Sequence, residues 1–156
     1  MTTVTRIIGD EGALADLAAR VAALLRTGDV VTLQGTLGAG KTTFARNVIR
    51  TLAQADIDVP SPTFTLVQTY DLPKISIWHF DLYRLDDRAD DILELGWEEA
   101  RRQAASLVEW PERLGVLMPR DRLGVHIDFT ESDPGARHIT FTPYGHWQSR
   151  LTESAI

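Results

Sequence analysis

The chain has 156 residues, 44% apolar and 24% charged, which fits one globular domain with its own core. It contains no cysteine, so disulfides, thiolate metal sites and a cysteine nucleophile are excluded, and a reducing compartment suits it. Its formal net charge is −6 and its only lysines are Lys41 and Lys74, with arginines scattered, so it lacks the clustered cations on which autonomous binding of RNA or DNA draws.

In chain order, residues 1–12 show no continuous apolar run of a secretory leader, and no stretch approaches the roughly 18 apolar residues of a membrane span. A cytoplasmic protein with no membrane contact is expected. Val4 to Ile8 is a short β-like run. Ala13 to Arg26 places Leu14, Leu17, Ala18, Val21, Leu24 and Leu25 at the spacing of one helical face, and Gly28 stops it. Asp29 to Gln34 is rich in β-branched residues and reads as a buried strand. Gly40 to Ala53 reads as a helix with Phe44, Val48, Ile49 and Leu52 inward. Phe64 to Tyr70 and Ile75 to Phe80 flank the turn signal Asp71-Leu72-Pro73-Lys74, the pattern of a hairpin. Asp86 to Gln103 predicts one or two acidic helices broken near Gly96. Ser106 to Trp110 is another buried strand, ended by Pro111, and Leu123 to Phe129 and His138 to Thr142 close the sheet. From Tyr144 the tail reads as a short helix with Trp147 and Leu151 turned inward. Strands interleaved with helices argue α/β architecture with a mixed sheet, in a single domain over residues 1–156 whose tail, 143–156, has the weakest pattern.

Gly35-Thr36-Leu37-Gly38-Ala39-Gly40-Lys41-Thr42 matches G-x-x-x-x-G-K-[ST] at every specified position, after a strand and before a helix. A loop wrapping a phosphate needs inward backbone N–H groups, and glycines allow the dihedrals and the close approach. The following helix offers its positive end to the anion. Lys41 is expected to reach the β- and γ-phosphates of a nucleoside triphosphate and the Thr42 hydroxyl to ligate Mg²⁺, with Thr43 continuing the first turn.

Binding alone does not hydrolyse, which needs carboxylates at neighbouring strand ends. Asp81 follows the run Ile75 to Phe80 in the string IWHFDLYR, where it could orient the attacking water or hold a Mg²⁺ water, or be a solvated strand-end aspartate. Glu109 ends an apolar strand and suits a Mg²⁺-binding role, or a cap for the next turn. Trp110 could cover the nucleotide or pack the core. His79 could be a base, although a packed strand histidine is the better reading. Ser61-Pro62-Thr63-Phe64 lies where P-loop proteins place a loop that senses the γ-phosphate, and a plain Ser-Pro-Thr turn would look alike. No arginine identifies itself as a finger; Arg84 is nearest.

Taken in order, G-T-L-G-A-G-K-T-T, S-P-T-F, H-F-D-L-Y-R and L-V-E-W-P resemble the bacterial TsaE (YjeE) family over about Asp10 to Phe141. The resemblance implies a P-loop NTPase-like three-layer sandwich with a mixed, mainly parallel sheet and an inserted β-hairpin. It implies a slow ATPase of tRNA threonylcarbamoyladenosine formation, using ATP/ADP and Mg²⁺. Its partners would be the threonylcarbamoyl-transferase subunit and that subunit's paralogue, of the TsaD and TsaB types, with tRNA met only through that complex. Carried over, Gly35, Leu37, Gly38, Ala39, Gly40, Lys41, Thr42 and Thr43 hold phosphate. Lys41, Asp81 and Thr63 belong to catalysis, with Ser61 beside Thr63 in the switch-like loop. Thr42, Glu109 and Asp81 face Mg²⁺, and Trp110 sits by the nucleotide. Relatives often carry a threonine in the first helix that approaches the nucleotide. Leu14 stands there here, leaving Glu11 and Gly12 as substitutes. Arg137 is the candidate for a late-strand arginine that does the same.

Two other classes compete. A small-molecule kinase would need an arginine-rich lid, yet Asp86, Asp87, Asp90, Asp91 and Glu94 crowd the obvious segment with acid. A non-catalytic nucleotide sensor would need Lys41 but not Asp81. A GTPase would carry N-K-x-D, and no such string occurs.

Overall fold

The computed structural model describes residues 2–86, 88–152 and 155–156. Asp87 of the acidic segment lies outside the described residues, as do Met1, Glu153 and Ser154.

The elements follow the apolar periodicity of the sequence. Strand β1 spans Val4–Ile8 and leads into helix α1, Glu11–Leu24, whose first turn is capped by Asp10 accepting from the Ala13 N–H at 2.8 Å. Strand β2, Val30–Gln34, precedes helix α2, Lys41–Ala53. The hairpin is β3, Val67–Asp71, and β4, Ser76–Asp81. Helices α3, Ala89–Glu94, and α4, Trp97–Gln103, are separated at Gly96, as the sequence leads one to expect. Strand β5, Ala105–Glu109, is followed by a 3-10 segment, Pro111–Leu117. Strands β6, Arg122–Phe129, and β7, Arg137–Tyr144, precede a short helix α5, Trp147–Arg150.

The seven strands form one sheet in the order β1-β7-β6-β2-β5-β4-β3. Pairs β6–β2, β2–β5 and β5–β4 are parallel, while β1–β7, β7–β6 and β4–β3 are antiparallel. The four central strands run one way, so the sheet is mixed and mainly parallel, with the hairpin at one edge. Helices α1 and α2 cover one face through Leu17, Val21, Phe44 and Val48. On the other face α3, α4 and the 3-10 segment bury Ile92, Trp97, Ala100 and Leu114 against Val30, Phe80 and Val108. The result is a three-layer α/β sandwich. The two acidic helices are thus core elements, packed through those apolar side chains.

Most boundaries shift by a residue or two from the sequence reading, and two of the differences have a clear physical cause. Strand β3 begins at Val67 and not at Phe64, because residues 62–66 fold into a turn closed by the Leu66 N–H donating to the Pro62 carbonyl at 2.7 Å. Leu66 takes a left-handed φ of 69°, and Phe64 is 80% exposed. Strand β5 ends at Glu109: Trp110 has φ 58°, which no strand residue adopts, and it opens the 3-10 segment that the sequence reading did not contain.

The tail is part of the core. Trp147 is 1% exposed, Leu151 and Ile156 are buried beside it, and Arg150 pairs with Asp29 at the start of β2. Removing a large buried aromatic leaves a cavity that its neighbours only partly fill. Trp147→Ala should therefore cost about 3–5 kcal/mol in urea unfolding. A loss below about 1 kcal/mol would show that the tail is an appendage.

Candidate active site

In a mainly parallel sheet, ligands gather at the carboxyl ends of the strands, where chain order reverses. Here β2 lies between β5 and β6, and its carboxyl end runs into Gly35–Gly40. Gly35 has φ 146°, and a Cβ built there would lie 2.2 Å from the Ile127 carbonyl oxygen. Any side chain would force the loop off strand β6. Gly40, at φ 118°, caps α2 in a left-handed conformation open to glycine. The first N–H groups of α2, starting at Lys41 and Thr42, have no carbonyl partners within the helix and carry its positive dipole end. This is the anion cradle that the motif calls for.

Lys41 is 5% exposed. Its ammonium donates to the carbonyls of Gly35 and Thr36, the latter at 3.2 Å, and stands 4.2 Å from the centre of the Trp110 ring. Burial pushes its pKa below the ordinary lysine value, and the nearby carboxylates of Glu109, Asp81 and Glu112 offset this only in part.

Strand register assembles the carboxylates. Glu109 is paired with Leu33 on one side and Asp81 on the other, so three parallel strand tips coincide. Glu109, 2% exposed, accepts from the Thr42 hydroxyl at 2.8 and 3.0 Å and lies 2.7 Å from His79 Nε2. Asp81 accepts from the Thr63 hydroxyl at 3.1 Å and from the Tyr83 backbone N–H at 3.0 Å. Ser61 is 2.7 Å from Thr63, hydroxyl to hydroxyl. Trp110, turned aside by its left-handed backbone, sets its ring against Tyr83 with centres 4.8 Å apart. Such an outlier in a non-glycine residue at a cleft is a feature of binding sites.

Of the residues singled out in the sequence, Leu37, Gly38, Gly40, Lys41, Thr42, Thr43, Thr63, Asp81, Glu109 and Trp110 line one cleft of about 270 Å³. Gly35 and Ala39 do not line it, and Ala39 faces a neighbouring recess. Glu11 and Arg137, with Leu14, line that recess of about 130 Å³, which shares Gly38, Gly40 and Thr43 with the loop. The Arg137 guanidinium donates from Nε to the Ala39 carbonyl at 3.0 Å, so it braces the loop. Arg84 sits 4.3 Å from the centre of the Phe64 ring. Tyr83 also lines the cleft, and the sequence carries no signal that singles it out. His79, read in the sequence as a packed strand histidine in preference to a base, reaches the site through Glu109, and the period of two in a strand puts it on the same face as Asp81.

An all-oxygen donor set of hydroxyl and carboxylates suits a small hard cation such as Mg²⁺, which binds through one or two carboxylates plus phosphate oxygens. A phosphate-cradling loop between strand and helix, with acids at the adjacent strand tips, defines a P-loop nucleotide-binding protein. Residues 8–139 match the family model described as threonylcarbamoyl adenosine biosynthesis protein TsaE. The chain is 37% identical over 134 residues to the tRNA threonylcarbamoyladenosine biosynthesis protein TsaE of Rickettsia bellii, covering 86% of this chain and 92% of that protein. It is 38% identical over 138 residues to the protein of the same name from Bacillus subtilis, covering 88% and 84%. The crystal structure of Bacillus subtilis YdiB superposes with a TM-score of 0.78 at 30% identity, covering 95% of this chain and 90% of that one. The chain belongs to the TsaE family.

The lowered pKa of Lys41 has a stability consequence. Below the folded-state pKa the lysine is charged in both states, and the folded state bears the whole desolvation cost. That cost fades as pH rises through the folded-state pKa toward the model value of 10.5. Lys41→Met should therefore melt higher than wild type at neutral pH without nucleotide, with the difference shrinking toward pH 10.5. A thermal melt in which Lys41→Met unfolds first would contradict this.

Proposed function

We propose that this chain is the ATP-binding and slowly ATP-hydrolysing subunit required for threonylcarbamoyl modification of adenosine next to the anticodon of tRNAs reading A-starting codons. The observation that carries the ATPase reading is the Thr42–Glu109 contact at 2.8 Å, in the same cleft as the Asp81–Thr63 pair. A site that only held phosphate would need the loop and Lys41. It would not need a second carboxylate tied to a hydroxyl of the adjoining loop.

In this reading the β- and γ-phosphates occupy the Gly35–Thr42 cradle. Thr42 and Glu109 hold Mg²⁺, which would neutralise phosphate charge when bound. Lys41 leaves its loop carbonyls for the phosphate oxygens, a better match for a desolvated cation. Asp81, fixed by Thr63 and the Tyr83 N–H, orients the attacking water and takes its proton as the γ-phosphorus–bridging-oxygen bond breaks. Thr63 and Ser61 make the loop 61–66 responsive to the γ-phosphate, so the exposed Phe64 beside Arg84 changes position with nucleotide state. Trp110 and Tyr83 wall off the cleft.

The partners are the threonylcarbamoyl-transferase subunit and its paralogue, of the TsaD and TsaB types, and tRNA is met only through them. This accords with a net charge of −6 and the shortage of lysine. The compartment is the cytoplasm, where tRNA is modified, and among the described residues no helix is long and apolar enough to cross a membrane.

Reconstitution tests the reading. Transferase and paralogue should complete multiple rounds of modification only with this protein and ATP. Lys41→Ala should support none, and Asp81→Ala should keep ATP binding while losing at least about 10²-fold in hydrolysis. Turnover with Lys41→Ala equal to wild type would overturn it.

A further inference from the structure

His79 lies in the middle of β4, 0% exposed, on the face covered by α2. Its neighbours on that face of the sheet are apolar: Ile77 two residues back, and Leu107 across the register on β5. Only one of its ring nitrogens has a partner. Nε2 is 2.7 Å from Glu109 Oε2, and Nδ1 is buried with no hydrogen-bond partner among the described residues. An unmatched polar atom inside an apolar layer costs stability, and a leucine there would avoid the cost. Packing therefore does not ask for a histidine at this position. The one thing the ring supplies is a donor to Glu109.

The acceptor explains why a donor matters. Glu109 is itself buried, so its two oxygens must be shared among a few fixed partners. The Thr42 hydroxyl lies within hydrogen-bond reach of both oxygens, and a hydroxyl on one rotatable bond does not by itself fix the carboxylate plane. The imidazole comes from the strand floor beneath and engages Oε2. A rigid ring in the middle of a strand leaves that carboxylate one orientation. With Nε2–H donating, Nδ1 is the bare ring nitrogen, and an unmatched acceptor is tolerated more readily than an unmatched N–H.

We propose that His79 is a positioning residue that fixes the rotation of the Glu109 carboxylate, so that Glu109 meets a divalent cation at Thr42 without first having to be ordered. This rests on the ATP and Mg²⁺ reading above and adds to it the group that pre-organises the carboxylate. Partners that orient a metal-binding carboxylate typically contribute about 10–100-fold in metal affinity. The role predicts a specific split. Mg²⁺-free ATP binding depends on the loop and Lys41 and should not involve His79. The gain in ATP affinity on adding Mg²⁺ should.

The test is ATP binding by calorimetry at one fixed pH, with and without Mg²⁺, on full-length wild type and variants whose folding is checked by thermal melt. His79→Leu keeps the volume but removes the donor. It should bind Mg²⁺-free ATP within about twofold of wild type and lose about tenfold of the Mg²⁺-dependent gain. His79→Gln, whose side-chain amide nitrogen reaches about as far as Nε2, should restore most of that gain. A full Mg²⁺-dependent gain in His79→Leu overturns the proposal and leaves the ATP reading standing. A wild-type protein whose ATP affinity ignores Mg²⁺ takes both down. If His79→Leu does not fold, His79→Gln is compared with His79→Asn, whose amide is one methylene short of Glu109. A gain kept by Gln and lost by Asn supports the role, and equal gains in the two overturn it.

Discussion

A carboxylate held out of water is the constraint around which this site is built. Glu109 sits at the tip of a central strand with 2% of its surface exposed, and an isolated anion there would be costly. Its cost is offset by three contacts drawn from two elements: the Thr42 hydroxyl and the field of the Lys41 ammonium from α2, and the His79 ring from β4. Meeting that demand fixes the depth of the first turn of α2 against β5, and hence the position of the phosphate loop. Gly35 fixes the other side, because its backbone passes too close to the Ile127 carbonyl for any side chain. Loop, helix start and carboxylate are therefore one rigid unit. The remaining parts are tied to it by only a few hydrogen bonds: the Ser61–Leu66 turn by the Thr63 hydroxyl donating to Asp81 and the Asp81 N–H donating to the Leu66 carbonyl, and the Lys41 side chain by two loop carbonyls.

That division assigns tasks by mobility. Under the proposed function, rigid donors suit a β-phosphate and a cation that would stay in place through the reaction cycle. A turn tied down by Thr63 and carrying an 80% exposed phenylalanine suits a group that must report whether a γ-phosphate is present. Charge is distributed in the same sense. Lys41 is desolvated among three acids and held only by loop carbonyls, so it is poised to exchange carbonyl dipoles for phosphate oxygens. Arg137 is not free in this way, being occupied with the Ala39 carbonyl. It acts on the recess beside the loop by holding the backbone.

Much of this was legible in the sequence because it is local. The glycine spacing of 35–40 encodes backbone dihedrals, the apolar stripes of α1 and α2 encode a buried face, and alternation in β4 puts Asp81 at a strand end. What was hidden is what tertiary contact decides. Trp110 continues an apolar run, and nothing in its own composition shows that it leaves the strand in a left-handed turn. Phe64 has high strand propensity, yet the bond from Leu66 to Pro62 folds residues 62–66 into a turn. His79 read as a packed strand histidine, and packed it is. Its partner Glu109 is 30 residues away and meets it only through the β4–β5 register. The run after Asp86 reads as one or two acidic helices, and its charge does not reveal that Ile92 and Trp97 close the second core.

The central claim is that the Gly35–Thr42 loop and Glu109 form one site for a nucleoside triphosphate and a divalent cation. A crystal structure with Mg²⁺ and a non-hydrolysable ATP analogue tests it most directly. The phosphates should lie inside the loop, with Lys41 turned from the Gly35 and Thr36 carbonyls onto them and the cation between the Thr42 hydroxyl and the Glu109 carboxylate. An analogue bound outside the loop, or a cation held with Glu109 still closed on Thr42, would contradict it.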